Sequence, residues 1–428
     1  MNTDTPFFTI CVPTRNRNQT LVYCLKTLLD QDFDSYEIIV SDNSDDEESK
    51  QTLAILEELN DDKIKYHRPT SILSMTDNYE FALSKASGRY IICIGDDDGL
   101  VINSLKYVFN FIREHNADVV KCPRIGYGWI GSLWDPNSIM AYPLERPIIQ
   151  VNSKSMLKKV ANFEIRYSDL PMIYYSFIKR DLIDDVVKEK GSFFQNSASI
   201  DMYSGFVIAY KTENYFITDK PFVILGSSAK SNGALGMVNP NHSIVKEYLQ
   251  KHNMIMYYEK YKIPVFQKLV LSTFVWLEML KFKENYALDN KAFNINYRNL
   301  LVNMVSTNQL FEKSTTLGMA KDFEQYEIYK EDLKRLKDLF IDRNVFYPNF
   351  SNEHTEFCQH ATIDPRLFGI KDIYGASLIC RKLLDSKDTG IPISISEDLL
   401  QEYNKQKLKV SEESIGSLLK KIVRKLIS

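Results

Sequence analysis

The chain has 428 residues, 44% of them hydrophobic and 25% charged, with a formal net charge of −3. That length holds more than one domain and that composition is ordinary for a globular protein. A balance so close to neutrality argues against nucleic acid or another polyanion as partner. Six cysteines show no close pair at metal spacing, and Cys11 and Cys93 fall inside apolar runs, so a reduced cytoplasmic compartment is the simpler expectation. No leader pattern and no apolar run long enough to span a bilayer is present.

In chain order, Phe7 to Val12 reads as a short apolar strand that ends at Pro13-Thr14-Arg15-Asn16-Arg17. A helix follows, with Leu21, Leu25, Leu28 and Leu29 on one face. Tyr36 to Val40 reads as a strand ending at Ser41-Asp42-Asn43-Ser44-Asp45, residues 46–59 as a helix, and Ile64 to Tyr66 as a strand. Asp77 to Ser87 reads as a helix that Asp77 caps, with Glu80 completing a capping box. Tyr90 to Ile94 is an apolar strand running into Gly95 and three carboxylates, Asp96, Asp97 and Asp98. Alternating strands and helices build a parallel sheet, and such a sheet holds its ligands beyond the carboxyl ends of its strands. The polar clusters at 13–17, 41–45 and 96–98 are therefore expected in one crevice.

Three adjacent carboxylates at a buried strand end repel one another unless something positive sits among them. A hard divalent cation, Mg²⁺ or Mn²⁺, with its other ligands from water and phosphate, would make the site a diphosphate-binding device. The bland alternative is a solvated acidic turn. Taken singly, Arg15 and Arg17 read as a solvated loop and Asp42-Asn43-Ser44 as turn chemistry. Their succession at strand ends favours a site.

Beyond the triplet, residues 103–115 read as a helix, Ala117 to Pro123 as a strand, and 124–150 as a long irregular segment carrying Trp129 and Trp134, either sugar-stacking or covering a core edge. Residues 152–166 read as a helix, Pro171 to Lys179 as a strand, Tyr203 to Tyr210 as a helix with Asp201 at its mouth, and Pro221 to Leu225 as a strand. Gly226 to Gly233 is rich in glycine and serine; its donors and Lys230 suit a diphosphate, and a plain linker suits the composition equally. From Ser243 the texture is helical, over 243–258, 263–286, 296–312 and 321–343, while 345–400 is poorly readable. At the end Ile415, Leu418, Leu419, Ile422, Val423, Leu426 and Ile427 share one helical face opposite Lys420, Lys421, Arg424 and Lys425, as in a peripheral membrane helix or a docking helix.

The ordered motifs PTRNR, EIIVSDNS, TDNYEFALSKASGRYI and IGDDDGL resemble the nucleotide-sugar-binding half of the inverting GT-A glycosyltransferases, over roughly the first quarter of the chain. The resemblance implies a Rossmann-like, mainly parallel α/β sheet at 1–240, a mainly helical domain at 241–400 and a basic amphipathic helix at 401–428. It implies a metal-dependent transferase that takes a UDP sugar to a glycan or lipid-linked acceptor in cell-surface polysaccharide synthesis. Pro13, Thr14 and Arg15 would line the nucleotide pocket, Asp42 would meet the base, and Asp77 or Asn78 the ribose and phosphates. Asp96 would lie toward the ribose, Asp97 and Asp98 at the metal with His242 completing its shell, and Asp201 would be the general base. Gly95 departs from the family's acidic pattern and leaves the register open by one residue. Helix capping is the competing role for Asp201, and a surface or core position for His242. Alternatives in function are a sugar-nucleotide pyrophosphorylase, whose glycine-rich loop after the first strand is missing here, and a non-catalytic nucleotide-sugar-binding or scaffold subunit.

Overall fold

A computed structural model describes residues 5–132, 140–143, 147–195, 197–230, 250, 254–261, 271–296, 299–300, 360–363 and 370–385. Strand β1, Phe8–Thr14, is buried at all seven positions, which places it in the middle of a sheet covered on both faces. It pairs in parallel with β2, Tyr36–Asp42, and with β4, Tyr90–Cys93. β3, Ile64–His67, adds a further parallel strand outside β2. Helices α1 (Asn18–Leu29), α2 (Asp46–Leu59) and α3 (Met75–Lys85) make the connections.

The other half of the sheet is mixed. β10, Ser176–Lys179, runs antiparallel to both β4 and β6, Val119–Lys121. β11, Asn214–Ile217, is parallel to β6, and β9, Ile149–Asn152, closes the edge antiparallel to β11. The full order is β3-β2-β1-β4-β10-β6-β11-β9. This is the mainly parallel α/β sheet flanked by helices that the motifs implied.

A second, five-stranded sheet stands beside the acidic strand end, in the order β13-β8-β7-β12-β5. Its members are β5 (Gly99–Leu100), β7 (Arg124–Gly128), β8 (Met140–Pro143), β12 (Val223–Ser227) and β13 (His360–Ile363). The irregular run expected over 124–150 is thus corrected to three strands, β7, β8 and β9. β7 and β8 pair with each other, but their further partners, β12 for β7 and β13 for β8, and β11 for β9, lie far off in the chain, so local periodicity announces them poorly. Helices α4 (Leu105–His115), α5 (Ser153–Ala161) and α6 (Arg180–Lys190) cover the main sheet.

Helix α7, Ile200–Lys211, is buried nearly all round, with nine of its 12 residues inaccessible. One side meets α5 and the other the helix Leu271–Asn285, where Phe206 and Phe282 stack at 5.7 Å. A helix at Ile373–Asp385, from the stretch that the sequence left unread, packs on α1 and β5 and adds Ile373, Ala376, Ile379 and Cys380 to the core of the second sheet. Cys11, Cys24, Cys93, Cys122 and Cys380 are all buried free thiols. No helix among the described residues is long and apolar enough to cross a membrane.

Candidate active site

The exits of β1, β2 and β4 lie along one edge of the sheet, with Thr14 in register with Asp42 and Cys11 with Cys93. Asn16 ties the first two together. Its backbone takes φ 57, a left-handed value that asparagine tolerates. Its N–H donates to Ser44 Oγ, and its amide exchanges hydrogen bonds with Asp45. Pro13 is buried in β1 and Arg15 is exposed at its exit.

Asp42 is fully buried and accepts from the Ser44 N–H and from the Tyr66 hydroxyl at 3.0 Å each. Asn78 is clamped to Ser41, accepting from its hydroxyl at 2.6 Å and donating to its carbonyl. The cap of α3 is Ser74, which accepts from the Asp77 N–H while its own hydroxyl donates to the Asp77 carboxylate. Asp77 therefore sits in the first turn, not at the cap as expected. Glu80 reaches away from the box to the Phe194 N–H.

Asp96, Asp97 and Asp98 are 3%, 6% and 4% exposed. Asp96 accepts from Thr14 Oγ1 at 2.7 Å and from Arg17 Nη1 at 3.1 Å. The same guanidinium nitrogen stands 3.7 Å from Asp97 Oδ1. Asp97 Oδ2 accepts from Ser228 Oγ at 2.7 Å, and its backbone carbonyl from Trp129 Nε1 at 2.8 Å. Asp98 accepts from the N–H groups of Gly95 and Gly226, at 2.7 and 2.8 Å. All four carboxylate oxygens of Asp96 and Asp98 are thus engaged by the chain itself. Trp129 is buried against Tyr127, at a core edge.

The positive charge that three carboxylates demand comes here from Arg17, which the sequence reading left in a loop. Its role is set by residues 79 and 80 positions away, so no local pattern could reveal it. Burial opposes the Arg17 charge, but Asp96 and Asp97 outweigh that and hold the guanidinium firmly protonated. Burial pushes the Asp96 carboxyl up against the pull of Arg17. Burial and then the neighbouring Asp97 push Asp98 well above the usual carboxylate range, against the N–H groups of Gly95 and Gly226. The exit of β12 closes this cluster. Besides Gly226 and Ser228, Lys230 donates to the Asn16 carbonyl at 2.9 Å, and its own carbonyl accepts from Arg17.

Asp201 lies in the first turn of α7, whose cap position is Ser199. It does not precede the helix as the sequence suggested. Burial raises its carboxyl pKa, opposed by the N–H groups of Met202 and Asp201 itself and by Arg124. Ile173, beside Tyr174, accepts from the Cys93 N–H at the end of β4 at 3.1 Å and donates its own N–H to Ser204 Oγ of α7 at 3.2 Å, so the start of α7 and the acidic strand end share one neighbourhood. Tyr174 and Tyr79 hydroxyls are hydrogen-bonded to each other beside it.

Among the described residues no group of three or more His, Cys, Asp or Glu side chains is arranged to hold a metal ion. His242 and Trp134 lie outside the described residues. The donor chemistry nevertheless fits a hard cation bound through one carboxylate and the oxygens of a phosphate ligand. Asp97, whose Oδ1 faces the Arg17 cation across 3.7 Å, is the side chain that would hold it.

Residues 9–183 match the model of glycosyl transferase family 2. Over 115 residues the chain is 32% identical to the GalNAc(5)-diNAcBac-PP-undecaprenol beta-1,3-glucosyltransferase of Campylobacter jejuni, an alignment spanning 27% of this chain and 37% of that one. It is 24% identical over 216 residues to glycosyltransferase GlyG of Streptococcus pneumoniae, 50% of this chain and 69% of the relative. Among solved structures, S. aureus TarS in complex with UDP-GlcNAc aligns at 17% identity and a TM-score of 0.45, over 77% of this chain and 91% of that one. A mannosyltransferase from Pyrobaculum calidifontis in complex with GDP-Man and Mn²⁺ aligns at 14% and 0.39, over 79% and 89%.

Proposed function

We propose that residues 9–183, which match the model of glycosyl transferase family 2, form a transferase domain of the GT-A type, and that the protein moves a sugar from a UDP sugar to a glycan or lipid-linked acceptor, with inversion, in cell-surface polysaccharide synthesis. The observation that carries the reading is the meeting of a buried acidic strand end with the start of α7, where Asp201 lies, joined through Ile173. A lipid-linked acceptor is in keeping with the name of the C. jejuni relative.

In this reading Asp201 takes the proton of the acceptor hydroxyl as that oxygen attacks the anomeric carbon. The bond from the same carbon to the diphosphate breaks, and its electron pair leaves with the diphosphate. A carboxylate made more basic by burial suits that task. Thr14, Arg15 and Pro13 at the exit of β1, Asp42 at that of β2, Asp77 and Asp96 form the donor side, and Lys230 closes it from β12. Asn78 serves by keeping the β2 exit in place through Ser41. Asp97, with Asp98 and His242 as further candidates, would hold Mn²⁺ or Mg²⁺, which supplies charge stabilisation to the leaving diphosphate. The proposed divisions are 1–240, 241–400 and 401–428, the second packing 271–285, 360–363 and 373–385 against the first, with the last segment as a peripheral membrane contact on the cytoplasmic side.

Asp201→Asn tests the reading. Donor affinity should hold while turnover falls by about 10²–10⁴-fold, the usual worth of a positioned base. Retained turnover overturns the assignment. The base works ionised and its pKa is raised, so wild-type turnover should decline as pH falls through a value above the ordinary ~3.9 of aspartate. UDP binding measured by calorimetry with Mn²⁺ and with chelator checks the metal, and equal affinities would remove it from the reading.

A further inference from the structure

We infer that Glu278, on the helix Leu271–Asn285, is a positioning residue for Asp201, fixing residues 197–199 immediately before α7 so that the first turn carrying the Asp201 carboxylate is held in place. The inference rests on the base assignment above. The first N–H groups of any helix need acceptors from beyond it. Ser199, at the cap position of α7, makes no side-chain capping bond. Glu278 grips the segment just before the helix, across about 80 residues of sequence. Its carboxylate accepts from the Ala198 N–H at 3.1 Å, from the Ser199 N–H, and from Ser197 Oγ at 2.7 Å.

The grip is two-sided. Thr76 of α3 donates to the Ser197 carbonyl at 2.6 Å, and the Ser199 N–H also reaches Ser197 Oγ at 3.0 Å. Residues 197–199 are thereby fixed from α3 and from the helix Leu271–Asn285 immediately before the turn that carries Asp201. Further bonds align the two helices, from Asn285 to the Tyr203 hydroxyl at 2.7 Å and from Gln195 to Tyr286.

Glu278 is fully buried, and its cation, Lys281, stands 3.8 Å away at 4% side-chain exposure. A pair of that kind is a poor stabiliser, since desolvation cancels most of the attraction and an apolar pair would pack the helices as well. An apolar pair cannot direct two N–H groups and a hydroxyl. Without the Glu278 carboxylate, residues 197–199 lose their hold from this helix, and the first turn of α7 that carries Asp201 shifts with them.

The test is kinetic. Glu278→Gln and, separately, Ser197→Ala are made in the full chain, each in the wild-type and in the Asp201→Asn background. Each single variant should lower kcat by about tenfold or more, as small misplacements of a reacting group do, with donor KM within twofold of wild type. In the Asp201→Asn background the same substitutions should cost nothing further, because the group they position has gone. An unchanged kcat in a folded variant overturns the inference, as does an equal loss in both backgrounds, the mark of a general structural role. Should Glu278→Gln not fold, Ser197→Ala decides by the same criteria. If Asp201→Asn itself retains turnover, the base assignment fails and not merely the positioning.

Discussion

A Cβ on Gly226 would stand 1.7 Å from the Asp97 carbonyl oxygen, closer than any side-chain atom can approach. The β12 backbone lies against the acidic turn there, and the Gly226 N–H serves Asp98. Gly226→Ala must therefore push β12 away from the turn and break that bond. The expected loss is about 3 kcal/mol or more, of the size seen for backbone clashes and stripped buried groups. Urea unfolding of the variant measures it, and a loss below about 1 kcal/mol would mean that β12 can shift freely. The sequence marked Gly226 as the start of a glycine- and serine-rich stretch that suited a diphosphate or a plain linker. Its steric duty depends on a partner 129 residues away, which composition does not encode. Asp96, Asp97 and Asp98 were legible because strand, glycine and carboxylates are contiguous; Arg17, Ser228 and Glu278 were not, because each acts on a group that the fold brings from elsewhere.

The same divide runs through the elements. Strands β1, β2, β3 and β4, helices α1 and α2, and the order in which they follow show in local patterns, and they lie within a residue or two of their expected ends. Missed were β7, β8, β9 and β11, paired far along the chain, and α6, which buries only Ile183 and Val186. The helix Ile373–Asp385 was missed too, although it holds residues 100–103, just past the acidic turn. Ser377, fully buried, receives the Ile102 N–H at 2.8 Å and donates to the Leu100 carbonyl at 3.0 Å. Tyr374 donates to Asp30, and Arg381 to the Asn103 carbonyl. Ser377→Ala should cost about 1–3 kcal/mol, since one buried N–H is left without an acceptor. Thermal unfolding would show it, and an unchanged midpoint would mean that this helix contributes little to holding residues 100–103.

For the whole molecule, the arrangement concentrates its polar clusters at one edge of one sheet and draws on distant segments to complete it. Residues 197–198 and 100–102 of the amino-terminal half are held by Glu278 and Ser377 from the later part of the chain. The proposed membrane contact, at the other end of the chain, should be separable. Removing residues 414–428, which lie outside the described residues, should leave activity on a water-soluble acceptor intact and abolish sedimentation with anionic vesicles. In the intact protein that binding should weaken as salt rises, because its cationic share is screened. Full-length protein that ignores such vesicles at low salt would assign the segment to docking within the chain or on a partner.

The five buried thiols act as clocks placed in two different parts of this assembly. Cys11, Cys24, Cys93 and Cys122 lie in or against the central sheet, whereas Cys380 belongs to the late helix that braces residues 100–103. Buried thiols meet a labelling reagent only when the structure around them opens, and regions of one protein open with different free energies. With Cys358 replaced by serine, mass spectrometry of native protein under a thiol reagent should find Cys380 modified first, at a rate set by release of its helix. The other four should wait for the sheet. A common rate for all five would mean that this brace never lets go without global unfolding, and that residues 370–385 belong to the same cooperative unit as β1.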